Sequence, residues 1–551
     1  MRRWARHGLA ALAVVLATAG GAVTAGGAAR AATGGCTVAY TARQWPGGFT
    51  ADLQITAHGP AINGWTLEWD YPNQRVDQAW NGVVRQDGRH VTVGNAAWNA
   101  QIGAGGSVWL GVIGTWTGSN PAPATFTLNG QACTGPLSDP DSHVDNPYTG
   151  AKGYVNPEWK ADADSVPGGT RVSDNPTGIW LDRVADIQGT AGRMGLRAHL
   201  DAALAQGAGY VQLVLNDLPG RDCERPFSTG DFALGELARY RTEFVDPIAA
   251  IVGDPRYGRL RIVTVVEGNA VPNLVLSTYT YQCTEAATTG VYQQALRYAL
   301  DKLHPFSNVY TYLSAAHHGW IGWESTFEAA ADLFADVARG TAAGFASVDG
   351  FITNLADYST LDEPHFDATT IVNGQPVRNS RWVDWNTFVD ELSFAKALRT
   401  RLIAEGFPTG TGMLIDTSRN GWGGPARPAL ASTSVDLNVF VDQSRVDRRL
   451  HIMNWCNQAG AGLGERPRAN PAAGIDAYVW MKPPGESDGS SDPLRPDTES
   501  RTMQPMCDPT YAGGIRNGYN PTGALPAAPP AGEWFPESFR QLLANAYPAL
   551  P

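Results

Sequence analysis

From residue 146 to the end of the chain, short apolar runs alternate with longer segments that have a helical pattern. The runs cover residues 210–215, 261–266, 309–313, 350–353, 412–415 and 477–481. The candidate helices between them include residues 235–252, 291–303 and 385–405. Strands that alternate with helices pair in parallel, with the helices packed on the sheet. Because no linker interrupts this stretch, we predict one barrel-like α/β domain over residues 146–551.

Polar residues follow these runs at the points where the strands are predicted to end. They are Asn216, Asp217, Glu267, Ser314, Asn354, Asp416 and Lys482. The carboxyl ends of barrel strands carry the active site in such folds, although some of these residues would instead cap the next helix. Tryptophans are frequent near them in the sequence. Carboxyl groups beside aromatic stacking surfaces suit the cleavage of a glycosidic bond.

The first residues have the composition of a secretory signal peptide. Three arginines among the first seven residues precede an apolar stretch over residues 9–19, and small residues before Ala32 suit cleavage there. We therefore expect residues 1–31 to be removed from an exported protein. An uncleaved membrane anchor is the alternative, but the Ala, Gly and Thr content makes a poor membrane span. The formal charge of −12 at pH 7 argues against a nucleic-acid partner.

The six cysteines are an even number, which suits disulfide bonding after export. Many pairings are open to six cysteines, and the simplest is the sequential order of Cys36 with Cys133, Cys223 with Cys283, and Cys456 with Cys507. No cluster of Cys and His has the spacing of a metal site. We therefore predict neither a metal nor any other cofactor.

Between Cys36 and Cys133 the pattern consists of short β-strands separated by Gly, Asn and Pro turns. No helical period is present in this segment. We predict a β-sandwich over residues 32–135. Residues 136–145 contain Pro, Ser and Asp with few apolar side chains, which predicts a linker.

The segment between Cys36 and Cys133 contains seven tryptophans and no lysine. This is more indole than a core of this size needs. Trp65 and Trp69 lie in apolar runs and are predicted to be core residues. Trp45, Trp80 and Trp98 lie in the turn contexts QWPGGF, QAWNG and AAWNA. Exposed indoles stack on the apolar faces of pyranose rings, so these three predict a polysaccharide-binding face.

The same segment resembles a family 2 carbohydrate-binding module of the cellulose-binding kind. The matching stretches are CTVAYTARQWPGGFTADLQIT, GWTLEWDYP, QAWN, NAAWN and PATFTLNGQACTG. The resemblance implies a bridge between Cys36 and Cys133 and a binding face made by Trp45, Trp80 and Trp98. Chitin binding, by a variant of the same family, is the alternative.

Residues 146–551 resemble glycoside hydrolase family 6, in particular its bacterial cellobiohydrolases. The matching stretches are VLNDLPGRDC, GFASVDGFITNLADY, GMLIDTSRNGWGGP, NWCNQAGAGLGERP and YVWMKPPGESDGSSD. The resemblance implies a distorted seven-stranded α/β barrel and inverting hydrolysis of β-1,4-glucan. Cellobiose would be released from a tunnel covered by loops such as residues 490–518. The Cys223–Cys283 and Cys456–Cys507 bridges are also implied, and a monomer is expected.

The resemblance implies roles for single residues as well. Asp222 in GRDC corresponds to the aspartate that supports the acid and the distortion of the sugar ring, and Asp488 in GESDG corresponds to the proposed base. Lys482 and Glu486 correspond to groups that hydrogen-bond the glucosyl unit at the cleavage point. The other matches are a histidine near the substrate and four sugar-stacking tryptophans: His317, Trp159, Trp320, Trp323 and Trp455.

The chain departs from the family pattern at the general acid. The family places that aspartate in the motif V-E-P-D-S-L-P-N-L-V, whereas this chain has VVEGNAVPNLV, so that Asn269 takes its place. Asn216 replaces an expected tyrosine, and Ser314 replaces an expected aspartate. An amide cannot protonate a leaving oxygen, and loss of a general acid typically costs about 10²- to 10⁴-fold in rate. Glu267 would point to the same side by strand alternation and could substitute for the acid after a shift.

Two functions are open at this point. The first is a secreted cellulase of the cellobiohydrolase type, which hydrolyses β-1,4-glucan with inversion. The second is a non-hydrolytic or severely impaired protein that binds a glucan chain without cutting it. Either would have cellulose or a related glucan as its partner, with no nucleic acid or membrane.

Overall fold

The computed structural model describes residues 36–57, 61–103, 106–118, 120, 123, 125–137, 143–190, 192–224, 230–276, 279–495 and 504–551. The predicted signal peptide, residues 1–31, lies outside this range. The chain divides into two compact units between Asp139 and Pro140.

In the first unit, the described residues form β-strands and no helix. They are β1 (Cys36–Trp45), β2 (Gly48–Ala57), β3 (Ile62–Asn63), β4 (Thr66–Asp70), β5 (Gln74–Trp80), β6 (Gly82–Asp87), β7 (His90–Asn95), β8 (Gln101–Ile102), β9 (Ser107–Trp116), β10 (Phe126–Leu128), β11 (Gln131–Ala132) and β12 (Thr134–Leu137). One sheet has the order β12-β1-β2-β9-β5, and the other has the order β11-β10-β4-β7-β6. All pairs within them are antiparallel except β1 with β12.

Alternation of buried and exposed residues along the strands creates one core between the two sheets. Phe49 of β2 contacts Tyr71 edge to face, with ring centroids 5.7 Å apart. Trp65 and Trp69 are buried in this core, which confirms their prediction. Cys36 and Cys133 form a disulfide that joins the two ends of the unit. The predicted all-β module is therefore present.

The predicted linker at 136–145 overlaps with structured residues at both ends. Strand β12 includes residues 136 and 137, which were predicted to be linker. At the other end, the ring of His143 stacks on that of Tyr310 at 4.1 Å, and its Nδ1 hydrogen-bonds the carbonyl oxygen of Ser307. Residues 136, 137 and 143 are therefore not part of a linker, whereas residues 138–142 lie outside the described part of the chain.

The second unit contains a twisted sheet of eight strands and two small hairpins. The strands are β13 (Ile179–Leu181), β14 (Gly189–Thr190), β15 (Arg193–Met194), β16 (Tyr210–Leu215), β17 (Arg261–Val266), β18 (Val309–Ser314), β19 (Gly350–Thr353), β20 (Ile371–Val372), β21 (Gln375–Pro376), β22 (Gly412–Asp416), β23 (Arg468–Ala472) and β24 (Ile475–Val479). The large sheet has the order β13-β16-β17-β18-β19-β22-β24-β23. Its first seven strands are parallel, and β23 pairs antiparallel with β24 at the edge.

All six apolar runs of the sequence are parallel strands of this sheet, as predicted. The seven strands implied by the family resemblance are joined by an eighth, β23, which the sequence did not predict. An isolated parallel bridge links Thr177 with Trp480, next to the two outermost parallel strands. The carboxyl ends of the parallel strands therefore come together on one side of the sheet.

Helices pack on the sheet between the strands. They are α1 (Pro157–Asp164), α2 (Val184–Gln188), α3 (Leu196–Ala205), α4 (Leu237–Arg239), α5 (Asp246–Val252), α6 (Ala270–Leu276), α7 (Tyr281–Thr289), α8 (Val291–Leu303), α9 (His318–Ile321), α10 (Glu324–Arg339), α11 (Glu391–Glu405), α12 (Leu437–Ser444) and α13 (Pro536–Ala544). A π-helical segment, Tyr240–Val245, joins α4 to α5. Short 3₁₀ turns cover Gly169–Arg171, Pro255–Tyr257, Gly344–Ser347, Val377–Asn379, Pro505–Cys507 and Ile515–Asn517.

The helix predicted over residues 291–303 agrees with α8, but the other two begin later than predicted. The one predicted from residue 235 begins at Leu237 and consists of α4, the π-helical segment and α5. The helix predicted from residue 385 begins at Glu391, because the side chain of Asp390 caps it by accepting from the backbone N–H of Ser393. Cys223 is bonded to Cys283, and Cys456 to Cys507, in the sequential order. None of the helices in the described part of the chain is long and apolar enough to span a membrane.

Candidate active-site cleft

A cavity of about 340 Å³ lies at the carboxyl ends of the parallel strands. We call it the cleft. Its lining includes the aromatic residues Trp180, Trp320 and Trp455 and the polar residues Asp182, Asn216, Arg221, Asp222, Glu224, Asn269, His317, Asp357, Lys482 and Asp488. The cleft thus combines indole rings with several carboxyl groups, as expected from the strand ends.

Seven of the ten residues proposed from the sequence for this domain line the cleft. They are Asp222, Asn269, His317, Trp320, Trp455, Lys482 and Asp488. Glu486 is not part of the lining; it is half-buried and accepts a 3.3 Å hydrogen bond from Nζ of Lys482. Trp323 lies outside the lining, at the start of α10, and its Nε1 donates to the carbonyl oxygen of Asp384 at 2.7 Å.

The interpretation of Trp159 as a sugar platform is contradicted by the structure. Its side chain is buried, its Nε1 donates to the carbonyl oxygen of Pro484 at 2.9 Å, and its ring packs edge to face on Trp480 and Phe539. No face of this indole is available to a ligand. Trp159 is a core residue that supports the loop carrying Glu486.

Trp180 occupies the wall of the cleft instead, and the sequence did not single it out. It is the middle residue of the three-residue strand β13, and its Nε1 donates to the carbonyl oxygen of Met481 at 2.9 Å. Nζ of Lys482 lies 5.2 Å from the centre of the ring, within range of a cation–π contact. The ring is therefore held in place from one side and presents the rest of its surface to the cleft.

A polar cluster surrounds Asp222 in the cleft. Arg221 approaches the carboxylate of Asp222 at 3.8 Å and that of Asp182 at 3.2 Å. The guanidinium also donates to the carbonyl oxygen of Asn216, whose amide donates to Asp182 at 2.6 Å. Asn216 thus orients Asp182, a residue that the sequence did not indicate.

Asn269 lines the cleft beside this cluster, immediately before α6, and its carbonyl oxygen accepts from the backbone N–H of Asn273. Its side chain is an amide, so position 269 offers no carboxyl group to the cleft. Ser314, the third departure from the family, is buried at the end of β18, where its Oγ has no hydrogen-bond partner among the described residues.

Glu267 is absent from the lining of the cleft, but it lines a small adjoining pocket together with Asp222 and Asn269. Strand β17 ends at Val266, and Glu267 has a φ of 52°, in the left-handed region that reverses the course of the chain. Its Oε1 accepts from the hydroxyl of Tyr240 at 2.8 Å, and its Oε2 accepts from the backbone N–H of Leu218 at 2.9 Å. Burial raises its pKa to about 7. Both oxygens are thus engaged by the protein, so a shift of the side chain toward the cleft would break these two hydrogen bonds.

Asp488 also lines the cleft and is firmly held. Its Oδ1 accepts from Nη1 of Arg419 at 2.7 Å, and its Oδ2 accepts from the hydroxyl of Tyr358 at 2.7 Å and from the backbone N–H of Asn457 at 2.8 Å. Arg419 is itself buried and also donates to the carbonyl oxygen of Ala356. Asp488 and Arg419 thus form a buried ion pair.

Asp357 is the third carboxyl group of interest, and sequence reasoning missed it within the stretch NLADY. It follows β19 and contacts Nε2 of His317 and Nη1 of Arg449, each at 3.5 Å. Burial raises the pKa of Asp357 to about 6, although Arg449 and Arg419 oppose that shift. Burial also lowers the pKa of His317 to about 3, so this imidazole is neutral.

His317, His318 and Glu391 bring their ligand-type atoms within 4.8 Å of one another. Their atoms are engaged with the protein: Nδ1 of His318 lies 2.6 Å from Oε1 of Glu391, and Nδ1 of His317 accepts from the backbone N–H of Gly319. We therefore assign the group to the hydrogen-bond network that fixes the loop after β18.

The first unit has its own candidate binding face. Trp45, Trp80 and Trp98 are exposed by 47%, 40% and 72%, in contrast to the buried Trp65 and Trp69. Trp45 pairs with Gly48, and Trp80 pairs with Gly111. Gly48 in turn pairs with Thr115, which lies four residues beyond Gly111 on β9 and therefore faces the same side. Trp45 and Trp80 thus lie on one face of the same sheet.

Two glycines allow these rings to lie flat. A Cβ at Gly48 would overlap with the indole of Trp45, and a Cβ at Gly111 would overlap with that of Trp80. Trp109, two residues before Gly111, faces the same way and is 56% exposed. The alternation in VWLGV could have indicated this fourth indole.

A β-sandwich with flat exposed indoles, together with an α/β domain whose cleft holds indoles and carboxyl groups, defines a modular protein of the carbohydrate-active class. Residues 141–546 match the sequence model of glycosyl hydrolases family 6, and the chain belongs to this family. Residues 36–133 match the model of a cellulose binding domain.

Known proteins of the family are similar over the same region. Exoglucanase A of Cellulomonas fimi is 44% identical over 431 residues, which are 74% of this chain and 49% of that protein, so the chain spans about half the length of this relative. A 1,4-beta-D-glucan cellobiohydrolase C of Emericella nidulans is 30% identical, over 73% of this chain and 79% of its own. The catalytic domain of Cellulomonas fimi Cel6B superimposes with a TM-score of 0.72 at 43% identity, covering 74% of this chain and 96% of that domain.

Proposed function

We propose that this chain is an exported glycoside hydrolase that attaches to cellulose and acts on single β-1,4-glucan chains by the inverting route of the cellobiohydrolases, at a rate limited by the missing general acid. The module over residues 32–135 would supply attachment, and the domain over residues 146–551 would supply the cleft. A single chain suffices for both, so a monomer is part of the proposal.

The observation that carries this proposal is the shared cavity of indoles and carboxyl groups. Trp180, Trp320 and Trp455 line the same cleft as Asp222 and Asp488. Indole rings stack on the apolar faces of glucosyl units, and carboxyl groups on either side of a glycosidic bond are what an inverting mechanism uses. Relatives with this family's fold are named exoglucanase and cellobiohydrolase.

The two sides of the bond are unequally equipped in this chain. On one side Asp488 is paired with Arg419 and can polarise a water molecule for attack from the opposite face of the sugar. On the other side Asn269 can donate a hydrogen bond to the leaving oxygen but has no proton to give. The cost expected for a missing acid is about 10²- to 10⁴-fold, and cellobiose is a leaving group that needs protonation.

The architecture implied by the family is part of the same proposal. The seven parallel strands would act as a distorted barrel that is closed by the Thr177–Trp480 bridge. Residues 490–518 would form one of the loops over a substrate tunnel; residues 496–503 of that loop lie outside the described part of the chain.

The test is to restore the acid. Release of cellobiose from phosphoric-acid-swollen cellulose would be measured for the wild type, for Asn269→Asp and for Asn373→Asp, a matched change in an exposed hairpin turn. We expect Asn269→Asp to be faster than the wild type by about 10²-fold or more, and Asn373→Asp to equal the wild type. Equal and measurable rates for the wild type and Asn269→Asp would show that position 269 does not carry the acid.

A second function, binding without hydrolysis, is favoured by one observation. Both oxygens of Glu267 accept hydrogen bonds from the protein, so the carboxyl group nearest in sequence would have to give up these contacts to replace the acid. The wild type would then bind cellohexaose in a calorimeter and leave it uncut after prolonged incubation. Silence of Asn269→Asp as well would assign the loss to Asn216 and Ser314 too, and would support the binding protein.

A further inference from the structure

We infer that Asp357 is a catalytic residue of this cleft, the group that takes the proton from the attacking water. This inference deepens the proposed hydrolytic function and rests on it. Asp357 lines the same cavity as Asp222 and Asp488, and its side chain is 14% exposed, so that it meets the cleft from a largely buried position.

The first step concerns Asp488, which is a poor acceptor for a proton in this structure. Its two oxygens already accept three hydrogen bonds, from Arg419, Tyr358 and Asn457, at 2.7–2.8 Å. Protonation would neutralise one half of a buried ion pair and leave the charge of Arg419 unpaired in the interior. Asp488 is therefore suited to stay charged and to stabilise positive charge that develops on the sugar.

The contacts of Asp357 are much weaker. Its Oδ1 accepts one long hydrogen bond, at 3.2 Å, from the backbone N–H of Tyr358. Arg449 and His317 approach the carboxylate only to 3.5 Å. Arg449 is bound more closely by Asp447, at 2.7 Å, so its charge is already largely matched. Among the described residues, no donor uses Oδ2 of Asp357 at hydrogen-bond distance, which leaves that oxygen for a water molecule.

His317 orients this arrangement. The backbone N–H of Gly319 donates to its Nδ1, which places the ring proton on Nε2, the nitrogen that faces Oδ2 of Asp357. Since the ring is neutral, it does not hold Asp357 as a strong ion pair would. A water molecule bridging this side of the cleft would find an acceptor in Asp357 and a fixed N–H beside it.

The charged groups around Asp357 set its affinity for a proton. Burial raises the pKa to about 6, Arg449 and Arg419 lower it, and the negative charge of Asp488 raises it again. His317, the remaining titratable neighbour, is uncharged. A base is most effective when its pKa lies near the pH at which the enzyme works. For Asp357, that pH is mildly acidic to neutral.

The reaction step can be written with its atoms and electrons. A water O–H bond breaks, its proton goes to a carboxylate oxygen of Asp357, and the water oxygen bonds to the anomeric carbon from the face opposite the leaving group. The bond from the anomeric carbon to the leaving group breaks, and the electron pair departs with that group. Asn269 cannot protonate the leaving group. A substrate whose leaving group departs as a stable anion therefore tests the proton transfer to Asp357 alone.

The experiment uses β-cellobiosyl fluoride with the full chain, because fluoride needs no protonation. Fluoride release would be followed from pH 4.5 to 8 for the wild type, for Asp357→Asn and for Asp336→Asn, a matched change on the exposed face of α10. We expect the wild-type kcat to rise with pH through about 6, the Asp357→Asn kcat to be about 10²-fold lower or more without that rise, and Asp336→Asn to match the wild type. Cellotetraose affinity and thermal unfolding of Asp357→Asn should stay close to those of the wild type.

Two results would overturn the inference. If Asp357→Asn keeps both the wild-type kcat and the rise with pH, Asp357 is not the base, while the proposed hydrolysis stands. If the wild type releases no fluoride, the proposed hydrolysis fails and the inference fails with it.

A chemical rescue gives an independent readout. Azide needs no base, so Asp357→Gly with sodium azide should regain fluoride release and form α-cellobiosyl azide, the inverted product, detectable by NMR. A role limited to holding the fold would not produce this compound. Rescue of Asp488→Gly but not of Asp357→Gly would move the assignment to Asp488.

Discussion

The hydroxyl of Tyr240 donates a 2.8 Å hydrogen bond to Oε1 of Glu267, deep in the large unit. Tyr240 begins the π-helical segment between α4 and α5, and such widened turns are frequent next to functional sites. Together with the backbone N–H of Leu218, this contact fixes the carboxyl group in the small pocket that adjoins the cleft. The carboxyl group that lies two residues from Asn269 in the sequence is thereby held by two donors of the protein.

The stability of the large unit should decrease as the pH rises toward neutrality. Burial raises the pKa of Glu267 to about 7, above the usual value of about 4.3. Between these two values the folded state binds the proton more tightly than the unfolded chain, so the free energy of unfolding falls with rising pH. Burial has the same effect on Asp217, whose pKa is about 8, and on Asp476, at about 7. We expect a higher Tm near pH 5 than at pH 8 by scanning calorimetry.

Glu267→Gln isolates the part of this dependence that belongs to one group. The amide keeps an oxygen for Tyr240 but does not titrate, so the difference in unfolding free energy between pH 5 and pH 8 should shrink by about 3 kcal/mol. Glu285→Gln, on the exposed side of α7, serves as the control and should leave the dependence unchanged. An unaltered slope in Glu267→Gln would mean that this carboxyl titrates normally in the folded protein.

Trp180 and Trp159 should respond in opposite ways to replacement by alanine. Trp180→Ala removes a ring of the cleft wall and should weaken cellotetraose binding about tenfold, which is about 1.4 kcal/mol. Trp159→Ala opens a cavity against Trp480 and Phe539 and should destabilise the domain by about 3–5 kcal/mol. Calorimetric titration and thermal unfolding of both variants check this. A larger loss of cellotetraose affinity in Trp159→Ala than in Trp180→Ala would contradict the structure.

The framework of the large unit could be predicted because its strands are buried on both sides. Such strands are continuous apolar runs in the sequence, and six of the seven parallel strands were predicted from these runs. β13, with only three residues, is too short for such a signal, and Trp180 was missed with it. Trp159 was misassigned because a tryptophan beside polar residues in a short helix does not reveal which way its ring is packed.

The details of the site depend on backbone geometry that residue patterns do not encode. Glu267 and Ala356 have φ values of 52° and 57°, and each changes the direction of the chain just after a strand. The alternation of side chains along a strand ends where the strand ends, so it does not predict the direction of the Glu267 side chain. That side chain contacts Tyr240 and the backbone of Leu218 instead. Asp357 comes one residue after Ala356, so its position in the cleft could not be predicted by strand alternation either.

The bridge between Cys456 and Cys507 should support the site as well as the fold. Asn457, next to Cys456, exchanges two hydrogen bonds with Asp488. A closed loop with a sequence separation of 51 residues corresponds to about 4 kcal/mol in the chain-entropy model. We expect the double change of Cys456 and Cys507 to Ser to lower the unfolding free energy by that order and to weaken cellotetraose binding. The same change at Cys36 and Cys133 should leave cellotetraose binding at the wild-type level.

Gly111→Ala tests whether the flat position of Trp80 matters for attachment to cellulose. A methyl group at residue 111 would occupy the space of the indole, so the ring has to lift from the sheet and leave the plane that it shares with Trp45. We expect the affinity of the full chain for microcrystalline cellulose to drop about tenfold in a depletion assay, since a tilted ring loses most of its stacking contact. Gly94→Ala is the matched control, because a Cβ there meets no atom within 4 Å. Wild-type affinity in Gly111→Ala, with the module still folded by tryptophan fluorescence, would show that Trp80 does not bind cellulose in the position that Gly111 permits.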